Sequence, residues 1–291
     1  MILIVDSGST KCDWLAVDGQ GNRLMEKIRT KGLNPAILSK DQLYNVIIQH
    51  HDLKVNADHV SHIYFYGAGC GTEGPKALLK EVLSSIFKKA EVNVNEDTLA
   101  AVYATINTPE EAAIVCIMGT GSNCSYYDGN TLHQRVNSLG YTLMDEASGN
   151  YYGKQLIRDY YFNHMPENIK VAFGSKYNMD TDVVKFNLYK QPNPNAYLAS
   201  FAEFMFLNKD SEYIVNLIKK GISIFAQNMI MQYRDKLQNI PVHFAGSIAY
   251  FSKEEIKDVA RDMNFNVGNI IRRPIDGLVS FHTERLKENL I

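Results

Sequence analysis

Ile2-Leu3-Ile4-Val5-Asp6-Ser7-Gly8-Ser9-Thr10-Lys11-Cys12-Asp13-Trp14-Leu15-Ala16-Val17 opens the chain and decides its fold. Ile2 to Val5 is a short apolar run of the kind that forms a buried strand. It breaks at Asp6 to Lys11, a turn of small and polar residues, and a second strand resumes over Cys12 to Val17. Asp18-Gly19-Gln20-Gly21-Asn22 is a turn cluster of the hairpin kind, and a third strand is expected over Arg23 to Ile28. The same order returns later. Ala113 to Met118 is an apolar strand and Gly119-Thr120-Gly121-Ser122-Asn123 a glycine turn. Cys124 to Tyr127 is a strand, Asp128-Gly129-Asn130 a turn, and Thr131 to Val136 a third strand. Cys12 and Cys124 fall at matching places. A repeated unit of this kind predicts two similar domains related by duplication.

The segments that follow alternate strand and helix. Asp41 to His51 carries Leu43, Val46 and Ile47 at helical spacing, and His62 to Tyr66 is a strand ending at Gly67-Ala68-Gly69. Pro75 to Lys89 is the clearest helix: Pro75 suits a first turn, and Leu78, Leu79, Val82, Leu83 and Ile86 share one face. Glu91 to Val94 is a strand that runs into Asn95-Glu96-Asp97, and a helix is expected from Thr98 to Ile106. In the second half the periodicity is helical over Tyr151 to Tyr161 and Tyr213 to Leu237, with a loop at Pro192 to Pro194. Val242 to Phe244 is a strand leading into Ala245-Gly246-Ser247. Ser252 to Met263 is a helix that Ser252 is expected to cap, with Glu255 three residues on. A last helix is expected from Leu278 to Leu290.

The chain has 291 residues, about two domains at roughly 150 residues each. Its hydrophobic fraction of 45% and charged fraction of 21% are those of a soluble globular protein. The net charge of -2 argues against a dedicated nucleic-acid binder and against an acidic disordered chain. The longest apolar run, Ala112 to Met118, is far short of the about 20 residues a membrane span needs, so no membrane partner is expected. The N-terminus has no basic flank and meets an acid at Asp6, unlike a signal peptide. Cys12, Cys70, Cys116 and Cys124 form no C-x-x-C pair, which fits reduced thiols in a cytoplasm. His59 and His62 have no second ligand cluster, so no metal centre of the His/Cys type is expected.

Three glycine-containing turns carry the chemistry. In Asp6-Ser7-Gly8-Ser9-Thr10-Lys11, small residues let the backbone approach a ligand and successive N–H groups can hold an anion. Asp6 would end a buried strand beside phosphates, where a carboxylate can hold Mg²⁺ through water. Read alone, the stretch is also an ordinary hairpin turn. Gly119-Thr120-Gly121-Ser122-Asn123 has the same two readings, and the equivalence of the two turns makes a polyphosphate clamp the more specific one. Ala245-Gly246-Ser247, after a strand, is a close-approach site for a flat base or a simple strand-to-helix turn.

In this set and order the chain resembles the sugar kinase, actin and Hsp70 superfamily, and within it the N-acetylglucosamine kinases and the BadF/BadG-type ATPase domain family. The resemblance covers almost the whole length. It implies an α/β fold of two ribonuclease H-like, actin-like ATPase domains with an interdomain cleft. The first would be 1–107 with a returning C-terminal helix at about 279–291, and the second 108–278. It implies ATP and Mg²⁺ as cofactors, with Asp6, Gly8, Ser9, Thr10 and Lys11 as the first phosphate motif and Asp6 on the metal side. Gly119, Thr120, Gly121 and Ser122 would form the second phosphate motif, and Gly246 and Ser247 the adenosine motif.

On the acceptor side, Leu33-Asn34-Pro35 resembles the family's early sugar-binding Asn, and Asn95-Glu96-Asp97 its catalytic Asp segment. Gly140-Tyr141 with Asp145-Glu146-Ala147-Ser148-Gly149 resembles its amino-sugar stretch. Asn34, Asp97, Gly121, Gly140, Tyr141 and Asp145 are therefore the expected substrate residues. Here Tyr141 stands where Trp is usual, Met144 where Gly is usual before the acid, Ala147 where Gly is usual, and Ser7 where Gly is common. Phosphoryl transfer to a hydroxyl needs a carboxylate to take the proton, and Asp97 is the expected base. Without the resemblance Asp97 is equally an N-cap for the helix it precedes, and Asp145 a loop acid.

The expected activity is phosphorylation of an amino sugar, N-acetylglucosamine first, to its 6-phosphate. Glucosamine and N-acetylmuramic acid are the rival acceptors, since one substituent in a pocket is hard to read from sequence. An ATPase activator of the BadF type, with an iron–sulfur cluster, needs cysteines at an interface. Of the four cysteines, Cys70 alone falls in an expected loop. A sugar-responsive regulator or actin-like scaffold is the non-enzymatic alternative. The zinc motif of ROK sugar kinases is not found in the sequence. A homodimer is an expectation of the resemblance.

Overall fold

Two five-stranded mixed sheets carry the fold in the computed structural model, which describes residues 1–8 and 11–288. The chain divides into two units: Met1–Thr105 with the segment from Arg273 onward, and Ile106–Arg272.

In the first unit the sheet order is β3-β2-β1-β4-β5, built from β1 (Ile2–Ser7), β2 (Lys11–Val17), β3 (Ile28–Lys31), β4 (His62–Gly67) and β5 (Glu91–Glu96). β1 pairs antiparallel with β2 and parallel with β4, and β4 parallel with β5. The run Ile2–Val5 is apolar throughout because both sheet faces are covered and successive side chains point to opposite faces. Leu3 and Val5 enter a core with Trp14, Phe65, Leu79 and Leu83, on the side of α1 (Lys40–Ile48), α2 (His51–Val55) and α3 (Glu73–Ile86). Ile2 and Ile4 enter a second cluster with Leu15, Val17, Ala100 and Leu278. That side is covered by α4 (Asp97–Tyr103) and the last helix, Pro274–Glu288.

The second unit repeats the plan, with sheet order β10-β9-β6-β7-β8. Its strands are β6 (Ala113–Met118), β7 (Ser122–Tyr127), β8 (Leu132–His133), β9 (Val242–Ala245) and β10 (Val267–Ile271). Each sheet is an antiparallel meander extended by two parallel strands. The meander turns share a device: Asp18 Oδ1 accepts from the N–H groups of Gln20 and Asn22, and Asp128 Oδ1 from those of Asn130 and Thr131. Helices α5 (Gly149–Tyr161), α6 (Glu167–Lys176), α7 (Thr181–Tyr189), α8 (Pro194–Ser200), α9 (Glu203–Leu207) and α10 (Glu212–Asn228) follow the meander. Then come α11 (Ser247–Phe251) and α12 (Lys253–Met263), and in the first unit α13 (Pro274–Glu288).

Several sequence expectations are corrected. The third strand lies at Ile28–Lys31 rather than Arg23–Ile28, and Arg23 makes only an isolated bridge to Val17. The register is fixed farther along, where Asp13 pairs with Arg29 at 2.7 Å and Trp14 Nε1 donates to Thr30 Oγ1 at 3.1 Å. The expected Thr131–Val136 strand shortens to Leu132–His133, because Arg135 turns away to Asp235 and to the Tyr233 hydroxyl. The helix from Tyr213 ends at Asn228, followed by a 3₁₀ turn at Ile230–Tyr233 that carries Tyr233 under β7, where it bonds Cys124 O.

Ser252 stands at the N-cap position of α12 as expected, but its side chain makes no capping hydrogen bond. It is the last residue of the preceding turn, its N–H already bonded to Ile248 O, and its buried hydroxyl has no hydrogen-bond partner. Glu255, itself buried, instead pairs with the partly exposed Lys209 at 2.7 Å. The tail helix starts at Pro274, a residue suited to a first turn, rather than at Leu278, and its expected end at Leu290 lies outside the described residues. β10 has no counterpart in the sequence reading, since Gly268 and Asn269 interrupt its apolar pattern at a register shift.

α5 packs closely on α8. A Cβ on Gly153 would collide with the Leu198 carbonyl, which is backbone and cannot swing aside. Gly153→Ala is expected to destabilise the protein by roughly 1–3 kcal/mol through overpacking. A thermal melt with Tm within a degree of wild type would show that the two helices separate freely.

Candidate active site

In the first unit the site grows from the C-terminal end of β1. Asp6 and Ser7 are its last two residues, beside Tyr66 and Gly67 at the end of β4. Ser7 is fully buried and holds two segments. Its hydroxyl accepts from Leu33 N at 2.9 Å, and its carbonyl accepts from Ala68 N at 2.9 Å. Asn34 is thereby set next to the strand end, and its Oδ1 accepts from Ala36 N at 2.9 Å. Gly69 is required there, because the Asn34 side chain fills the space a Cβ would take. Ser7, which departs from the usual glycine, is thus the tie that positions Asn34.

Asp97 is the first residue of α4, directly after β5. It does not cap the helix, and Glu96 occupies the cap position without a side-chain bond. Burial raises the Asp97 pKa, the neighbouring Glu96 raises it further, and backbone N–H groups of Asp97 and Thr98 partly offset this. Burial also pushes Asp6 up to about 7, aided by the charges of Asp97, Asp13 and Asp276 and opposed by Lys11. Asp13 itself is held low by hydrogen bonds from Arg29 and Lys27, despite its burial. The unit thus brings Asp6, Lys11 and Asp97 into one electrostatic group, with Asn34 tied to the same strand end. Gly8 N bonds Lys11 O across the turn at 2.9 Å. Ser9 and Thr10 lie outside the described residues.

In the second unit the turn between β6 and β7 is stitched to the start of α5. Gly149 N donates to Gly119 O at 2.7 Å and Asn150 N to Thr120 O at 3.0 Å. Tyr151 N is taken by the Ser148 hydroxyl, so the opening N–H groups of α5 hold the turn and the N-cap. Ser122 Oγ donates to Glu146 O at 2.7 Å. Asp145 is buried with a positive φ of 69°, and its Oδ2 accepts from Asn150 Nδ2 at 3.0 Å. A Cβ on Gly121 would stand 2.8 Å from that same oxygen, which explains glycine there.

Gly246 directly follows β9 with φ of 118°, against the carbonyl of Met118, and only glycine meets both demands. Ser247 opens α11. Gly119 to Ser122, Asp145 and Gly246 are therefore brought together at one end of the sheet. Gly140 has a positive φ of 79°, and Tyr141 lies in the turn before α5, its carbonyl bonded by Lys154 Nζ of that helix at 3.1 Å. Sequence reasoning missed Asn150, 1% exposed, which orients Asp145 and keeps its own Oδ1 without a partner. Its only sequence signal is its place five residues after Asp145.

No protein-family model and no curated protein sequence matches the chain. Among solved structures it is similar to a proposed N-acetylglucosamine kinase from Porphyromonas gingivalis. The two are 31% identical, the match covers 98% of this chain and 99% of that one, and the TM-score is 0.90. A second proposed N-acetylglucosamine kinase, from Chromobacterium violaceum, is 13% identical over 96% and 98% of the two chains, with a TM-score of 0.70. A ROK family glucokinase from Streptomyces griseus, solved with glucose and AMPPNP, is 13% identical over 98% and 99%, with a TM-score of 0.58. The last two likenesses concern the fold alone. The two mixed sheets and the likeness to the Porphyromonas gingivalis protein define a sugar kinase of the actin-like ATPase fold. More particularly, the chain belongs to the family of the Porphyromonas gingivalis protein.

Proposed function

We propose that the chain is an ATP- and Mg²⁺-dependent kinase of an amino sugar, N-acetylglucosamine first, and that it forms the 6-phosphate. The observation that carries this reading is Asp97: a half-buried carboxylate at a strand end, raised in pKa and grouped with Asp6. A general base for a sugar hydroxyl works best when its pKa is moved toward the working pH. Asp97 takes the proton of the acceptor hydroxyl as that oxygen attacks the γ-phosphorus and the bond to ADP breaks. Asp6 is the carboxylate for the metal, held through water. Among the described residues no group of three or more His, Cys, Asp or Glu is placed to hold a metal unaided. Asp6 and the nucleotide phosphates are therefore the fitting donors, and Mg²⁺ when bound neutralises phosphate charge. A dication also fits the raised pKa of Asp6, since it offsets the like charge of Asp97.

Gly8, Ser9, Thr10 and Lys11, and separately Gly119, Thr120, Gly121 and Ser122, are assigned to the phosphates. Gly246 and Ser247 are assigned to the adenosine. Asn34, Gly140, Tyr141 and Asp145, with Gly121 behind Asp145, are assigned to the acceptor. A cytoplasmic enzyme fits the composition, and no described helix is long and apolar enough to cross a membrane. The test is ADP release with ATP and Mg²⁺ against N-acetylglucosamine, glucosamine, N-acetylmuramic acid, N-acetylmannosamine and glucose. Stimulation by an amino sugar is the expected result. Basal turnover that no sugar raises would overturn the reading.

A further inference from the structure

The first unit holds a cavity of about 260 Å³ on the sheet face covered by α4 and α13, toward the edge strand β5. Elsewhere that face is apolar: β1 and β2 send Ile2, Ile4, Leu15 and Val17 to it. β4 and β5 send polar groups instead. Tyr64 and Tyr66 come from one strand and Glu91, Asn93 and Asn95 from the other, each two residues apart and so on one face. The inner wall is fixed by its own contacts. Tyr66 Oη and His282 Nε2, on two buried residues, are hydrogen-bonded at 2.7 Å, and Tyr64 stacks on the His282 ring with centroids 3.7 Å apart. Burial and the charge of Arg285 push His282 down to about 3, so it is neutral and offers hydrogen bonding without charge. The charges of the cavity therefore stand at its exposed rim, one of each sign: Glu91 on β5 and Arg285 on α13. Both act on the Tyr64 phenol, in opposite senses. Among the described residues the ion-pair partner of Glu91 is His62, at 4.0 Å, and not Arg285.

We propose that this cavity is a second binding site, for a phosphorylated amino sugar with a free amine. Arg285 takes the phosphate, which its forked guanidinium suits, and Glu91 takes the ammonium. The amides of Asn93 and Asn95, each both donor and acceptor, meet the ring hydroxyls. The space is small against the roughly 300–1,000 Å³ of common ligand pockets, so it suits one sugar ring and not a nucleotide. β5 runs from this cavity into Asp97, so an occupant sits on the strand that leads to the candidate base. The choice of a sugar phosphate rests on the proposed kinase activity, whose products belong to that class.

The test is calorimetric titration with glucosamine 6-phosphate, with saturating N-acetylglucosamine and AMPPNP present to occupy the catalytic site. One further site per chain is expected. Glucose 6-phosphate, which lacks the amine, and glucosamine, which lacks the phosphate, should each bind at least about fivefold more weakly. Glu91→Gln should lose the preference over glucose 6-phosphate, and Arg285→Met the preference over glucosamine. Both side chains are exposed at the rim, so neither change should unfold the protein. No binding by wild type, equal affinity for the three probes, or variants that keep both preferences would overturn the proposal. If no sugar supports ADP release, the kinase reading falls by itself, because the titration reads this cavity without turnover.

Discussion

Asn in place of Asp97 is expected to lower sugar-dependent ADP release by a factor of about 10² to 10⁴, the usual contribution of a general base. The loss should fall on kcat more than on KM, because the amide keeps the shape and can still hydrogen-bond the acceptor while it cannot accept the proton. The protein should not lose stability near neutral pH. Burial and Glu96 raise the pKa of Asp97 in the folded chain. A carboxyl raised on folding stabilises fully below its unfolded pKa, and that contribution is lost as pH rises through the folded value. Once Asp97 is ionised, wild type carries a charge that the variant lacks, so on the alkaline side Tm of Asp97→Asn should equal or exceed wild type. Near pH 3 the two should converge. A structural role as a helix cap gives the opposite sign, a lower Tm at pH 7.5 with activity reduced only in step with folding. Wild-type kcat should rise with pH through a midpoint above the usual carboxylate range, and this limb should vanish in the variant.

Those features of the site that depend on local rules were legible in the sequence. The two turns at Asp6 and Gly119 stood out because apolar runs stop at small residues there, and the repetition of strand, turn, strand and Asp-Gly turn forecast two matching sheets. What escaped was fixed by partners far along the chain. Ser7 reads as a departure from glycine, yet its hydroxyl ties Leu33 to the strand end. Asn150 reads as an ordinary polar residue at a helix start, yet it holds Asp145. β3 was placed too early because Leu24 and Met25 look like strand residues, and Leu24 is in fact exposed while Asp13 and Trp14 select Arg29 and Thr30. The stretch from Glu167 to Leu207 breaks into four short helices whose apolar faces turn toward different neighbours, so no single period runs through it. Ser252 met the local rule for a cap and holds that position, yet it also ends α11 and its side chain makes no capping bond.

Asp6 gives the second large effect, and it is read through protons. Its pKa of about 7 means that the carboxyl is half protonated near neutrality in the ligand-free chain. Burial is the first cause and Asp97 the second. A carboxylate that serves Mg²⁺ must be ionised, so binding of Mg²⁺–ATP should release a proton from the protein. Calorimetry in two buffers of different ionisation enthalpy should find about half a proton released per site at pH 7 and almost none at pH 8.5. Asp6→Asn should abolish this release and lower turnover by about 10² or more, as expected when charge stabilisation of the phosphates is lost.

The stability of the ligand-free chain should move the other way. Below the unfolded carboxyl pKa the raised group contributes fully, and between that value and about 7 the contribution is lost. Above pH 7 the variant should therefore be the more stable, by roughly 1–2 kcal/mol once screening of a partly exposed group is allowed for, and at pH 4 the difference should close. Asp97→Asn supplies the internal check. Removing that neighbouring charge lowers the Asp6 pKa, so proton release at pH 7 should shrink although the nucleotide still binds. Release that is unchanged in Asp97→Asn, or that persists in Asp6→Asn, would place the titrating group elsewhere and separate Asp6 from the metal.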